Sequence, residues 1–361
     1  MARIATLTFH TAVNYGAALQ MFALSDFLTR EGHHVEILDY EPEALRAAHH
    51  SKLRDCTTPR KLVKHLLTAA PQSKRRHAFR EFRERNVHLS PPIQNIDPTF
   101  LAERYDGVVV GSDQVWNANI TGFDTGYLLP FKASADISRV SYAASIGMSQ
   151  IPQPYADAMR SALTQYAGLS VREESAARLL ATQFGLSAEV ALDPVFLLDR
   201  SRWQELAESP RASSPFVFLY LVSPNSTAEK DARRYAREHQ MQAVAIHKQY
   251  WRRLPETKSV LAASPEQFLG HINDSAHMVT NSFHGMALST IMRKDVDVVL
   301  NGHAGRDARM IDLATKLEED PSVNVSTVEN RIHVRHVNRD AVVLGDSRAA
   351  SAQFLRAALE R

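Results

Sequence analysis

The first 40 residues constrain the fold more than any other stretch of the chain. Arg3 to Phe9 is a short run of β-forming residues, and Asn14-Tyr15-Gly16 follows it as a turn. From Ala17 to Thr29 apolar residues recur at helical spacing until Gly32 stops them, and His34 to Tyr40 reads as a second strand. Strand, turn, helix and strand in so short a span make a βαβ unit. Its strands lie parallel, joined by a right-handed crossover, and ligands of such sheets gather at the carboxyl ends of the strands.

The alternation continues along the chain. After a break at Pro91-Pro92, Gly107 to Val110 is a buried-type strand that runs into the polar cluster Gly111-Ser112-Asp113-Gln114, and Arg139 to Ala143 is the next strand. A helix near Pro154 to Tyr166, a strand Leu169 to Val171, a helix Glu173 to Phe184 and a short strand ending at Leu192 complete a Rossmann-like domain over residues 1–205. Ser209 to Pro215 has no apolar periodicity and reads as a linker. Beyond it, strands at Phe216 to Val222, Gln242 to Ile246, His277 to Thr280 and Val296 to Leu300 alternate with helices at Ala228 to His239, Pro265 to Asn273 and Met286 to Met292. They form a second Rossmann-like domain over residues 215–346. The last amphipathic helix, Ser347 to Leu359 within residues 347–361, is expected to pack back on the first domain. At 361 residues the chain exceeds what one core usually organises, so the expected fold class is α/β with two Rossmann-like domains.

Charge and cysteine content narrow the function classes. The 42 Lys and Arg nearly cancel the 40 Asp and Glu, so the net charge of +2 asks for no nucleic acid partner. Locally the balance fails. Between Arg54 and Arg85 stand Arg60, Lys61, Lys64, Lys74, Arg75, Arg76, Arg80 and Arg83 with few acids among them. This run is expected to be a solvated helix face; the competing reading is a surface for anionic lipid, which would make the protein peripheral to a membrane. Cys56 is the single cysteine, so disulfides within the chain are excluded and a reducing cytoplasm is expected. No apolar run reaches the length of a membrane span.

Five short patches at strand ends or helix starts carry the functional signal. They are Asn14-Tyr15-Gly16-Ala17-Ala18-Leu19-Gln20, Gly111-Ser112-Asp113-Gln114-Val115-Trp116-Asn117, Ser170-Val171-Arg172-Glu173-Glu174, Leu192-Asp193-Pro194 and Thr280-Asn281-Ser282-Phe283-His284-Gly285. As an ordered set they resemble the polysaccharide pyruvyltransferase family. The resemblance implies an architecture like that of the two-domain B-type glycosyltransferases, with the active site in the interdomain cleft, an acceptor side in the first domain and a donor side in the second. It further implies transfer of a pyruvyl group from phosphoenolpyruvate, a co-substrate and not a cofactor, onto a pair of sugar hydroxyls as a ketal. The acceptor is then a saccharide or lipid-linked glycan in exopolysaccharide or cell-envelope synthesis, at the inner face of the membrane or free in the cytoplasm.

Phosphoenolpyruvate presents a carboxylate and a phosphate on a small frame, so its site needs guanidinium forks, hydroxyls and backbone N–H groups. Arg172, between a strand and a helix, is the leading donor-binding candidate; the competing reading is that it pairs with a neighbouring acid. Asn281, Ser282, His284 and Arg309 complete the expected donor set. His284 follows a strand and stands at a helix start, where N–H groups face an anion, and its imidazole can donate and accept protons near neutral pH. It is the catalytic candidate. Asn14, Tyr15, Asp113, Gln114 and Trp116 are the acceptor-binding candidates, although Asn14 could serve only as a helix cap. Asp193-Pro194 reads as structural, and Asp295 and Asp297, at alternating strand positions, would project to opposite faces, so no metal is assigned.

The last patch departs from the common form of the family motif, in which an arginine stands two positions before the histidine. Here that position is Ser282. Arg306, Arg309 or Lys248 could supply the missing charge. Two other functions stay open: a nucleotide-sugar glycosyltransferase, which would bind a nucleoside diphosphate, and a non-catalytic glycan-binding protein, which would bind saccharide but no donor. The amino-terminal turn, with Gly16 as its lone glycine, lacks a dinucleotide signature.

Overall fold

A computed structural model describes residues 1–49, 59–131, 137–212, 214–247, 254–302 and 304–360, leaving aside the side chains of 48–49, 59–67 and 304–306. Arg54, Cys56 and Lys248 lie outside the described residues, as do the side chains of Arg60, Lys61, Lys64 and Arg306. The chain divides into two compact units, one of Met1–Ser51, Arg83–Leu197 and Asp346–Arg361, the other of Lys52–Phe82 and Leu198–Gly345.

The first unit opens with β1 (Arg3–Leu7), α1 (Tyr15–Arg30), β2 (His34–Ile37) and α2 (Glu43–His49). The basic stretch forms the long helix α3 (Pro59–Asn86), after which come α4 (Pro98–Arg104), β3 (Gly107–Val110), α5 (Ala118–Thr121), β4 (Ser138–Ser141), α6 (Tyr155–Leu163), β5 (Ser170–Val171), α7 (Glu174–Phe184) and β6 (Glu189–Val190). The sheet order is β2-β1-β3-β4, all parallel, with Ile4 opposite Val35 on one side and Gly107 on the other. Single bridges, Val140 to Gly168 and Ala144 to Val171, lead on to the parallel pair β5-β6.

Helix α1 is apolar on nearly every face because it lies inside the unit, with Tyr15 to Ser25 continuously buried. Asn14 caps it, its Oδ1 accepting from the Gly16 N–H at 2.9 Å, and Gly32 at φ 89 lets the chain leave. The all-buried Gly-Val-Val-Val of β3 is what a parallel strand covered on both faces requires.

The second unit holds α8 (Arg200–Leu206), β7 (Phe216–Leu221), α9 (Ser226–Glu238), β8 (Gln242–His247), β9 (Thr257–Ser259), α10 (Pro265–Asp274), β10 (His277–Thr280), α11 (Phe283–Ile291), β11 (Val296–Val299), α12 (Ala304–Glu318), β12 (Val323–Val328) and β13 (Arg331–His336). Its sheet runs β12-β13-β11-β10-β7-β8-β9, parallel from β11 to β9 and finished at one edge by the antiparallel hairpin β12-β13. The closing helix α13 (Gly345–Leu359) groups with the first unit, where the Ser351 hydroxyl accepts from the Leu192 N–H at 3.0 Å.

Two differences from the sequence reading have physical causes. Most of α3, residues 59–82, groups with the second unit although it follows the first βαβ unit in sequence. Its buried positions Thr68, Arg75, Phe79 and Phe82 lie seven, four and three residues apart, one face of a helix, and packing of that face outweighs chain proximity. The hairpin β12-β13 was not anticipated because its outward residues are polar and its turn, with Glu329 at φ 53, contains no glycine. Among the described residues no helix is long and apolar enough to cross a membrane.

That hairpin is tied to the sheet by titrating groups. Asp297 on β11 receives His277 at 3.1 Å, His333 at 2.8 Å and Arg335 at 2.5 Å; burial pushes its pKa up, but these partners outweigh it and hold the carboxyl well below the ordinary range. Asp295 has different partners, the His336 N–H and Arg339. His336 behaves oppositely. Neither of its buried ring nitrogens has a hydrogen-bond partner, and burial first, then the charges of Arg339 and Arg293, push it down to about 4 against the pull of Asp295 and Asp320.

Between the unfolded value of 6.5 and about 4 the unfolded chain binds a proton at this histidine that the folded chain does not, so acidification through that window destabilises the fold. Asp297 loses its contribution only further down, below the ordinary carboxylate pKa. The melting temperature of the wild type should therefore fall more between pH 6.5 and 4 than that of His336→Gln; equal falls would remove His336 from the acid response.

Candidate functional site

In the first unit the motifs converge on one buried hydrogen-bond network at the carboxyl ends of the strands. Gln20 on α1 gives its Nε2 to the Thr8 hydroxyl at 3.0 Å and accepts the Ser112 N–H at 3.2 Å, while Thr8 donates to the Ser112 carbonyl at 3.1 Å. Ser112 donates to the Ala143 carbonyl at 3.0 Å. The Ala143 N–H in turn meets the Ser170 hydroxyl at 3.0 Å, and Ser145 donates to Glu173 at 2.7 Å. The residues Gln20, Ser112, Ser170 and Glu173 come from three of the five patches. Their shared property is that they complete the bonding of chain ends where β1, β3, β4 and β5 stop.

Gly111 is fixed by sterics. Its φ is 123, and a Cβ there would stand 2.3 Å from the Tyr142 carbonyl oxygen. Asp113 follows at φ 69 with its Oδ1 on the Gln114 N–H, and Gln114 accepts from Asn117 at 2.8 Å. These two acceptor candidates are half-buried, with part of their surface open.

Two aromatic candidates of this unit, Trp116 and Tyr15, are core residues. Trp116 is 0% exposed; its Nε1 donates to the Tyr127 carbonyl at 3.2 Å and its ring meets Tyr166 edge-on, so its aromatic face is core and not a sugar platform. Tyr15 is also 0% exposed, at the start of a buried helix, and cannot line an acceptor site. Asn14 caps α1 and, like Asp113 and Gln114, keeps part of its surface open. Arg172 lies buried between two carboxylates, with Nη1 2.8 Å from Asp193 and Nε 3.2 Å from Glu173. Burial alone would lower its pKa, but Glu173, Asp193 and Asp113 raise it above the ordinary value. This is the pairing with neighbouring acids, and the charge of Arg172 is balanced within the network.

In the second unit the site is the loop from β10 into α11. Asn281 uses its whole amide: Oδ1 accepts the Val222 N–H at 3.0 Å, and Nδ2 reaches the Ser223 carbonyl at 2.9 Å and Asn301 Oδ1 at 3.1 Å. It thereby joins the loops after β7, β10 and β11, and its role is to build the site. Ser282 caps α11, its Oγ accepting the Gly285 N–H at 3.3 Å, and its own N–H meets the Thr280 hydroxyl at 3.1 Å. Gly285 is required because a Cβ would fall 2.6 Å from Thr280 Oγ1.

His284 is in the first turn of α11, buried, with its ring edge-on to Phe283 at 5.1 Å between centroids. Over the Phe283 ring stands the Arg309 guanidinium of α12 at 5.9 Å. The sequence reading placed Arg75 on a solvated face, and there it is wrong: Arg75 is 1% exposed. Burial pushes the Tyr220 hydroxyl up to about 12, while the charge of Arg75 and a hydrogen bond with Ser282 pull it back. The signal that could have found Arg75 is its place on the stripe with Phe79 and Phe82.

Three concavities occur elsewhere, bordered by Arg3 and His34, by Gly168 and Ser187, and by Phe216 and Gln242. All lie at the amino ends of strands, the edge of a parallel sheet that rarely holds chemistry. The motif loops are at the other edge.

A family model described as polysaccharide pyruvyl transferase matches residues 14–296, from the first motif to the second unit. A search of curated proteins found no match. Among solved structures, UDP-GlcNAc 2-epimerase from Neisseria meningitidis is similar at 9% identity and a TM-score of 0.48, over 99% of this chain and 100% of that one. The UDP-GlcNAc 2-epimerase of Methanocaldococcus jannaschii is similar at 11% identity and 0.45, over 81% and 82%. ADP-heptose heptosyltransferase II of E. coli is similar at 10% and 0.37, over 99% and 98%.

The network makes a stability prediction. Gly111→Ala forces a side chain into a positive-φ site against the Tyr142 carbonyl and should cost at least ~1–3 kcal/mol. Urea unfolding measures it; a loss below a few tenths would show that the loop relaxes freely.

Proposed function

We propose that this chain, which belongs to the polysaccharide pyruvyl transferase family, transfers the pyruvyl unit of phosphoenolpyruvate to two hydroxyls of one sugar as a ketal. The observation that carries the reading is the presence of His284 in the first turn of α11, inside the matched family region, with Arg309 over the ring of the adjoining Phe283. An anionic donor is favoured at a helix amino terminus with a guanidinium nearby.

The chemistry proceeds in balanced steps. The His284 imidazolium gives a proton to C3 of the donor, turning its methylene into a methyl and leaving an oxocarbenium-like C2. One sugar hydroxyl adds to C2 and passes its proton to a phosphate oxygen. The C2–O bond to phosphate then breaks, phosphate leaving with the electron pair, and a second hydroxyl of the same sugar closes the ring as its proton departs, which neutral His284 can accept. Arg309 and the first-turn N–H groups offset the charge of the departing phosphate. Asn14, Asp113 and Gln114 are the acceptor contacts that stay accessible, and a saccharide or lipid-linked glycan is the acceptor class. Arg172 positions the loops of the first unit through Glu173 and Asp193 and is not assigned to the donor.

Purified protein incubated with phosphoenolpyruvate and a glycan panel should release inorganic phosphate only when a suitable acceptor is present. His284→Ala should lower kcat about 10²–10⁴-fold, the usual contribution of a positioned acid–base group, with a much smaller change in donor dissociation constant. Absence of phosphate release across the panel contradicts the activity, and an unimpaired variant removes His284 from it.

A further inference from the structure

We infer that Asp39, held in place by His10, is a further acceptor contact whose carboxylate receives a hydroxyl of an uncharged sugar. The inference rests on the proposed transfer to a glycan and extends its acceptor side within the first unit.

Asp39 follows β2 and His10 follows β1, adjacent parallel strands, so both stand at the carboxyl edge where ligands of such sheets gather. His10 Nε2 lies 2.8 Å from Asp39 Oδ1. An ionised carboxylate only accepts, so this ring nitrogen carries the proton and donates. The partners differ in exposure: the His10 side chain is 1% exposed and that of Asp39 29%. The pair is thus directed outward, a buried imidazole behind a carboxylate that reaches the surface. Among the described residues Asp39 Oδ2 has no hydrogen-bond partner, and it is open at the surface.

Packing alone does not account for this histidine. Its other ring nitrogen, Nδ1, is buried without a hydrogen-bond partner, a desolvation cost that an apolar residue at the position would not carry. Nor do the loops need the pair to stay together. The Leu38 N–H already donates to the Thr6 carbonyl at 2.9 Å, the Asp39 N–H to the Ser90 hydroxyl at 3.0 Å, and the Thr11 hydroxyl to Glu41. What the ring adds is a fixed direction and an ionised state for one carboxylate. The hydrogen bond from His10, and then the charges of His10 and Arg83, hold that carboxyl below its ordinary pKa against burial and Glu41.

Neighbouring strands place Asp39 with the other acceptor contacts. The sheet order β2-β1-β3 sets Asp39 on one side of the loop after β1 and Asp113 on the other, and Thr8 of that loop is bonded to Ser112, next to Asp113. Asn14 closes the same loop as the cap of α1. A sugar hydroxyl supplies the proton that an open carboxylate oxygen lacks, and such a charge-assisted bond is stronger than one to a neutral acceptor. Asp39, Glu41 and Asp113 together favour neutral sugars, since the carboxylate of a uronic acid would meet like charge there.

The test uses the full-length chain and a panel of neutral oligosaccharides with their uronic-acid counterparts. Melting checks the folding of Asp39→Asn, His10→Gln and the double variant. Steady-state phosphate release gives KM separately for glycan and phosphoenolpyruvate, and calorimetry gives glycan dissociation constants. Asp39→Asn should raise the glycan KM about 10-fold, the loss of a hydrogen bond to a charged group, with the phosphoenolpyruvate KM unchanged. His10→Gln should raise it less and should add nothing in the Asp39→Asn background, because His10 acts through Asp39. Uronic-acid glycans should bind the wild type more weakly than their neutral counterparts, by a factor that narrows in Asp39→Asn. A folded Asp39→Asn with an unchanged glycan KM overturns the contact and leaves the activity standing. Where that variant does not fold, the same result in Asp39→Glu, which displaces the carboxylate by a methylene, overturns it. Additive effects of the two substitutions overturn the positioning role of His10. If the wild type releases no phosphate, the activity fails and calorimetry decides the contact by itself: weaker glycan binding by Asp39→Asn supports it, and equal or absent binding overturns it.

Discussion

The structure depends on how buried chain ends satisfy their hydrogen bonds where parallel strands stop. Inside a sheet the ladder occupies every N–H and C=O, but at the carboxyl edge the strands diverge and those groups need other partners. In the first unit Gln20, Ser112 and Ser170 supply them; in the second a single side chain, Asn281, joins the loops after β7, β10 and β11. Much of the motif signal is thus scaffolding. It fixes the loops so that a few other side chains have defined positions.

The same constraint explains the electrostatics. Because the cap of α11 is made by Ser282 and the approach to Thr280 demands Gly285, the helix begins at one defined point, and its positive end is placed with it. His284 stands in its first turn, and Arg309 of α12 lies over the ring of the adjoining Phe283. In the first unit the opposite solution holds, for Arg172 is balanced by Glu173 and Asp193. A buried arginine beside two carboxylates holds the loops that carry them in place.

The parallel sheets were legible in the sequence because their strands are continuous apolar runs, and β3 and β10 fall where the pattern put them. The helix α11 begins three residues earlier than its apolar spacing suggests, since its first turn, Phe283-His284-Gly285, mixes aromatic, polar and glycine residues chosen for the site and not for a helix. Trp116 and Tyr15 illustrate the limit for function. A motif position reports that a residue type is required, and both aromatic residues are required inside the core. Arg75 illustrates the converse: composition placed it among solvated cations, and only tertiary packing separates it from its exposed neighbours.

The most direct test of the account follows the donor carbons in heavy water. Wild-type protein is incubated in D2O with phosphoenolpyruvate labelled with 13C at C2 and with an accepted glycan, and the product is read by NMR and mass spectrometry. Protonation at C3 followed by closure on two hydroxyls predicts a labelled ketal carbon bonded to two sugar oxygens, bearing a methyl group with one deuterium. Label retained in phosphoenolpyruvate, released as pyruvate or held in an enolpyruvyl ether that keeps its methylene would contradict it.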